Sequence, residues 1–140
     1  MKKIILILAI CALPVMLLAQ EQKSPKEREK EFYEAIEAQI NQLTEQLELE
    51  DWQIFYVDSI LTHDYNALRE ELKGLREAKI SNSDTYQRVQ DKWAEQIYNS
   101  LHKIMNEDQW SKYLKQGAAR DKKTRDKRKA KVDEANAKLQ

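Results

Sequence analysis

The chain has 140 residues, with 24 basic and 24 acidic side chains, two histidines and one cysteine. This length fits one domain of ordinary size, and a single cysteine excludes both an internal disulfide and a thiolate metal cluster. The sequence has no glycine-rich phosphate loop and no nucleophile motif. We therefore expect neither an enzyme nor a bound cofactor.

Residues 1–19 have the pattern of a cleaved signal peptide. Lys2 and Lys3 precede an apolar run from Ile4 to Leu18, and Ala19 is a small residue at a plausible cleavage point. The run is too short for a stable membrane span. Cys11 lies inside the run, so a lipid anchor there is the less favoured alternative. We predict an exported protein whose mature chain does not insert into a membrane.

Charge is unevenly distributed along the mature chain. Residues 20–60 contain eleven acidic and four basic side chains, whereas residues 112–131 contain ten basic and two acidic ones. Such asymmetry favours antiparallel self-association, or attraction of acidic partners to one end of the molecule.

Apolar residues recur at helical spacing, which predicts an all-α fold of four helices. The first helix should begin at Pro25, with Ser24 and Glu27 forming a capping box. The second should run from Asp51 to about Ile80. The predicted buried stripes are Phe32, Ile36, Ile40, Leu43 and Leu47 in the first helix, and Ile54, Val57, Leu61, Leu68, Leu72 and Leu75 in the second.

The loop Ser81–Asp84 should cap a third helix, and a fourth should open at Asn106. Their apolar stripes are Tyr86, Val89, Trp93, Ile97, Leu101 and Ile104, followed by Trp110, Tyr113 and Leu114. Two antiparallel hairpins would bury these stripes. The helical domain should cover residues 20–117, leaving residues 118–140 as a charged helix extension or a disordered tail.

One short phrase occurs twice. The stretch from Leu49 to Gln53, in LELEDWQ, aligns with Met105 to Gln109, in IMNEDQW, 56 positions later. Asn106 is a favourable N-cap, and Gln109 can complete a capping box with it. The repeat therefore predicts two similar corners at which a helix starts, and this interpretation alone assigns no function.

The repeated phrase resembles the leucine, threonine, any two residues, glutamine motif of the LTxxQ proteins of the bacterial periplasm, the Spy/CpxP-like family. Both copies lack the threonine, and Met105 replaces the second leucine. The resemblance covers the chain from about Leu47 to the basic tail. It implies a cradle-shaped antiparallel homodimer that holds unfolded client proteins without ATP, or an adaptor that docks on a membrane sensor kinase. A structural helical dimer without clients is a third alternative.

Several side chains are candidates for contact with clients or with a second subunit. Phe55, Tyr56 and Tyr65 lie off the main stripe of the second helix, although ordinary packing is equally compatible with Phe55 and Tyr56. In the basic region the candidates are Lys112, Lys115 and Arg120. Export argues against nucleic acid as a partner of this region, and a solvated tail is the default expectation.

The histidines and tryptophans have more ordinary interpretations. Some members of the family that the chain resembles bind zinc or copper. His63 and His102, however, lack the paired spacing of a metal site, so we predict that neither is a metal ligand. Trp52, Trp93 and Trp110 are expected to be core or corner anchors rather than ligand-stacking residues.

Overall fold

The structure is a computed structural model that describes residues 23–139. The predicted signal peptide and Cys11 lie outside this range. The described residues form helices and turns without a strand, which confirms the all-α prediction for this part of the chain. The elements are α1 (Pro25–Leu47), α2 (Asp51–Glu77), α3 (Ser83–Ile104), α4 (Glu107–Tyr113), a π-helical turn (Leu114–Ala118) and α5 (Ala119–Ala137). Because α4 continues through the π turn into α5, there are four continuous helical segments.

The chain divides into two units, of which the first ends at Ala35. Within this unit α1 begins as the sequence predicts. The Ser24 backbone N–H donates to Glu27 Oε2 at 2.8 Å, and the Glu27 N–H donates to Ser24 Oγ at 3.2 Å. These bonds close the predicted capping box. They also lower the pKa of Glu27, and the bond from the Ser24 backbone N–H is the largest cause.

The second unit begins at Ile36 and contains the hydrophobic core. Buried apolar residues come from α1, α2, α3 and the two corners between helices; they are Ile36, Ile40, Leu43, Leu47, Leu49, Val57, Leu61, Ile97, Leu101 and Met105. Farther along α2, Leu68, Leu72 and Leu75 are only half-buried. The core is therefore concentrated beside the corners and thins toward the distal end of α2.

Helix α2 begins at Asp51 as predicted but ends at Glu77, three residues before Ile80. Lys79 adopts a left-handed backbone conformation with φ of 55°, and the Ile80 N–H donates to the Leu75 carbonyl at 3.0 Å. This is the geometry of a Schellman cap, which terminates a helix by satisfying its last carbonyls. Asn82 then caps α3, accepting from the Asp84 N–H at 2.8 Å.

Polar contacts join α2 to α3. The Glu71 carboxylate accepts from the Trp93 indole N–H at 2.7 Å and pairs with Lys92 Nζ at 2.6 Å. Nearer the corners, the buried Asp64 accepts from Gln96 Nε2 at 3.1 Å. The Glu71 bonds lower the pKa of this carboxyl group, with the Lys92 bond as the largest cause.

Residues 119–137 form a helix, so of the two alternatives for the tail the structure has the helical one. The expectation that this region is fully solvated is wrong for its inner face. Arg125 pairs with Glu95 at 3.2 Å, and Arg128 forms two bonds to Asp91 at 2.6 and 2.7 Å. Helix α5 has no buried apolar residue, so charge holds it against α3, an attachment that apolar periodicity could not reveal.

The π turn contains the one residue between α4 and α5 with non-helical backbone angles, Gly117, at φ of 118°. A side chain is strained at this φ, so glycine is favoured here. Within residues 23–139, no helix is both long and apolar enough to span a bilayer.

Candidate functional site: paired glutamines and exposed aromatic residues

The glutamines of the repeated phrase contact each other directly. Gln53 Nε2 donates to Gln109 Oε1 at 2.7 Å, and Gln109 Nε2 donates back to Gln53 Oε1 at 2.9 Å. Both side chains are almost fully buried, with 3% and 6% of their surfaces exposed. The first turns of α2 and α4 are therefore joined by a closed amide pair across 56 positions of sequence.

Each glutamine also caps the start of its own helix. Gln53 Oε1 accepts from the Glu50 backbone N–H at 2.9 Å, and Gln109 Oε1 accepts from the Asn106 N–H at 3.0 Å. Asn106 returns the bond, because its Oδ1 accepts from the Gln109 N–H at 2.9 Å. The predicted capping box at Asn106 is confirmed. These bonds satisfy helix N–H groups that have no partner within the helix.

The remaining amide hydrogens reach across to the opposite corner. Gln53 Nε2 donates to the carbonyl of Ile104, the last residue of α3, at 2.8 Å. Gln109 Nε2 donates to the carbonyl of Leu47, the last residue of α1, at 3.3 Å. Each glutamine thus caps the start of one helix and the end of another, and both donor and both acceptor positions of each amide are used.

The sequence predicted the caps but not this pairing. A glutamine at the same place in two copies of one phrase was the available signal, yet capping geometry alone explains each copy locally. The other motif residues behave as flanks of the pair. Leu49 and Met105 are buried, with 8% and 9% exposed, whereas the side chain of Asn106 is exposed.

Beside the first corner, α2 presents an exposed aromatic cluster made of Trp52, Phe55 and Tyr56. Half of Trp52, 67% of Phe55 and half of Tyr56 are exposed. Tyr56 makes edge contacts with both neighbours, with ring centroids 6.2 Å from Trp52 and 5.6 Å from Phe55. Because Gln53 and Val57 face the core, these positions fall on the outer side of the helix.

This placement decides two sequence predictions. Ordinary packing in the core, one of the alternatives for Phe55 and Tyr56, is not found, because both rings are exposed. The expectation that Trp52 is a core or corner anchor is wrong, because Gln53 takes the inward position and turns Trp52 outward, where its indole N–H donates to Glu50 Oε2 at 2.6 Å. Tyr65 lies apart from the aromatic cluster. It is half-buried, and this burial raises the pKa of its hydroxyl group. A hydrogen bond with Gln39 lowers the pKa by a smaller amount.

A second group of rings surrounds Trp110 at the other corner. His102 stacks on Trp110 at 4.1 Å, and Tyr98 and Tyr113 lie at 4.8 and 5.4 Å. Trp110 is therefore a corner anchor, as predicted. Burial raises the pKa of Tyr113 to about 12. Trp93, the remaining tryptophan, is half-buried against Glu71.

The two histidines have separate surroundings. His63 Nδ1 lies 2.8 Å from Asp64 Oδ1 and its side chain is largely exposed, while His102 stacks on Trp110. Within residues 23–139, no group of three or more histidine, cysteine, aspartate or glutamate side chains is placed to hold a metal ion.

The predicted basic contact residues differ in their partners. Lys112 pairs with Glu48 at 3.3 Å, which adds a link between the two corners, and Arg120 pairs with its neighbour Asp121 at 3.4 Å. Lys115 is exposed. Both ion pairs are exposed to solvent, where such a pair contributes at most about 1 kcal/mol.

Comparison of the chain with protein-family models, with curated proteins and with solved structures gives no significant match.

Proposed function

We propose that the protein is an exported, periplasmic chaperone-like protein that holds unfolded or partly folded proteins without ATP. The observation that supports this proposal is the exposed aromatic cluster of Trp52, Phe55 and Tyr56. Exposed apolar residues are informative when they form a contiguous patch, and such patches mark binding surfaces. Aromatic rings offer a large contact area for unfolded segments at a small loss of conformational entropy.

The paired glutamines fix the position of the helical turn that carries this cluster. Trp52 and Gln53 are adjacent, and the amide pair fixes the first turn of α2 against the end of α3 and the start of α4. A client could therefore bind and leave without the corner having to refold. The resemblance to the LTxxQ family, together with the two glutamine corners, also leads us to propose a cradle-like homodimer of two antiparallel helical hairpins.

Aggregation suppression tests the proposed function. The client is a protein that unfolds and aggregates when its disulfides are reduced. We expect the purified protein, at a near-stoichiometric ratio to this client and without nucleotide, to lower the light scattering of the aggregates. The double variant F55S/Y56S should lose most of this effect, with client affinity weakened about tenfold by the loss of two aromatic contacts. Its far-UV circular dichroism should be unchanged, because both side chains are exposed.

The matched control is I80S/L139S, which removes two other exposed apolar side chains, with 39% and 86% exposure, away from the cluster. It should suppress aggregation like the unmodified protein. If the unmodified protein leaves scattering unchanged, or if both double variants lose activity equally, the proposal is wrong. Capture of a single membrane sensor kinase without aggregation suppression would instead support the adaptor role.

A further inference from the structure

A groove of about 690 Å³ runs between α3 and α5, and none of the aromatic cluster residues lines it. Its lining extends from Asn82, the N-cap of α3, to Glu95 on that helix, and on α5 from Lys122 to Val132. Thirteen steps of 1.5 Å along α3 give a length of about 20 Å. That length accommodates about six residues of an extended peptide.

Ion pairs between α3 and α5 hold the two walls of this groove together. Arg125 and Lys122 both pair with Glu95, each at 3.2 Å, and Arg128 binds Asp91 through two nitrogens. The Arg128 bonds raise the pKa of this guanidinium, and Arg125 also lies 5.5 Å from the centre of the Tyr98 ring. Both walls therefore have defined positions before any ligand binds.

The charges left after these pairings are mostly positive. Arg88, Lys129 and Lys131 line the groove, are exposed, and form no ion pair with any carboxylate of residues 23–139. Arg88 makes one hydrogen bond, to Thr85 Oγ1 at 3.3 Å. Among the acidic lining residues, Asp91, Glu95 and Asp126 are already paired, whereas Asp84 forms no ion pair with residues 23–139, so three cations face one carboxylate.

We propose that this groove binds an extended, acidic segment of a partner polypeptide. Carboxylates of the segment would meet Arg88, Lys129 and Lys131, and its apolar side chains would contact Val132 and the methylene stems of the lysines and arginines. An elongated groove with cations on both walls matches a chain with spaced charges better than a compact anion. This role is independent of the aromatic cluster and of the proposed chaperone function.

The test is fluorescence anisotropy of a labelled eight-residue peptide that alternates glutamate and valine, titrated with the intact protein. We expect saturable binding that weakens with added salt, because exposed charge pairs are screened. The same peptide with lysine in place of glutamate should not bind. Hydrogen exchange should slow on the groove-lining turns of α3 and α5 when the acidic peptide is present.

The variant R88Q/K129Q/K131Q should weaken peptide binding at least fivefold. The control K103Q/K123Q/K127Q removes the same charge from exposed positions on the same two helices, outside the groove lining, and should bind nearly as the unmodified protein does. Equal loss in the two variants would show general attraction and would overturn the proposal. Absence of peptide binding, or tighter groove-dependent binding to phosphatidylglycerol vesicles than to the peptide, would overturn it as well.

Discussion

Replacing the paired glutamines by methionine tests whether the two corners are energetically coupled. Methionine keeps most of the volume, so each change removes the amide without opening a large cavity. Each glutamine takes part in four side-chain hydrogen bonds with the other glutamine and the helix ends, and two of the four are shared. The double variant Q53M/Q109M therefore loses six such bonds, whereas the two single variants together lose eight.

A net hydrogen bond contributes about 1 kcal/mol, and a buried polar group left without its partner costs about 1–3 kcal/mol. Each single variant loses its own bonds and leaves the other amide half unpaired. We therefore expect Q53M and Q109M each to lower the free energy of unfolding by about 3–4 kcal/mol. The double variant should cost about 2–3 kcal/mol less than the sum of the two.

The assay is urea unfolding followed in parallel by far-UV circular dichroism and tryptophan fluorescence, whose transitions should coincide if unfolding is two-state. Gln90 lies on the exposed side of α3, so Q90M is the control and should change the free energy of unfolding by less than about 0.5 kcal/mol. If the effects of Q53M and Q109M add to within about 0.5 kcal/mol, the amide pair does not couple the corners and the reasoning fails.

Three further predictions use backbone conformation and pH. G117A should lower the free energy of unfolding by about 1–2 kcal/mol, because the φ of Gly117 is strained for a residue with a side chain. G74A lies within a helix with open space around it, so it should raise the free energy of unfolding by about 0.5–1 kcal/mol. Equal effects of the two variants in urea unfolding would contradict this backbone argument. K79G should raise the free energy of unfolding by about 0.5–1 kcal/mol in the same assay, because Lys79 has φ of 55°, a conformation that glycine adopts more easily. A lower free energy of unfolding would show that the Lys79 side chain matters more than its backbone conformation. The pKa of Tyr113 is about 12 in the folded protein, against an ordinary value of 10. The stability that the protonated Tyr113 contributes is therefore complete below pH 10 and is lost as the pH rises toward 12, with a total loss of up to roughly 2–3 kcal/mol. Unfolding series up to pH 11.5 should show a smaller alkaline loss for Y113F, and identical losses would refute this assignment.

The starts of α1, α2, α3 and α4 could be predicted from sequence because caps act through neighbouring residues. Ser24 with Glu27, and Asn106 with Gln109, close their boxes over three positions. Predictions that depend on orientation were less successful. The outward direction of Trp52 depends on Gln53 taking the inward position, and that position is set by Gln109, which lies far along the chain.

Long-range charge pairing was also beyond the reach of sequence patterns. Helix α5 has no apolar stripe, so periodicity could not distinguish a docked helix from a solvated or disordered one. Its position is set by Arg125 and Arg128 meeting Glu95 and Asp91, partners 30 and 37 positions away. The end of α2 was misplaced for a local reason: Lys79 adopts a conformation usually taken by glycine or asparagine.

The reciprocal amide contact has a consequence for how the molecule opens. Because one side chain satisfies the last carbonyl of α1 and the other that of α3, fraying of either helix end deprives the other corner of a partner. Slow amide-proton exchange should therefore be shared by two stretches that are distant in sequence, and thermal fluctuations should free them together. The two copies of the five-residue phrase then form one cooperative unit, which opens and closes as a whole.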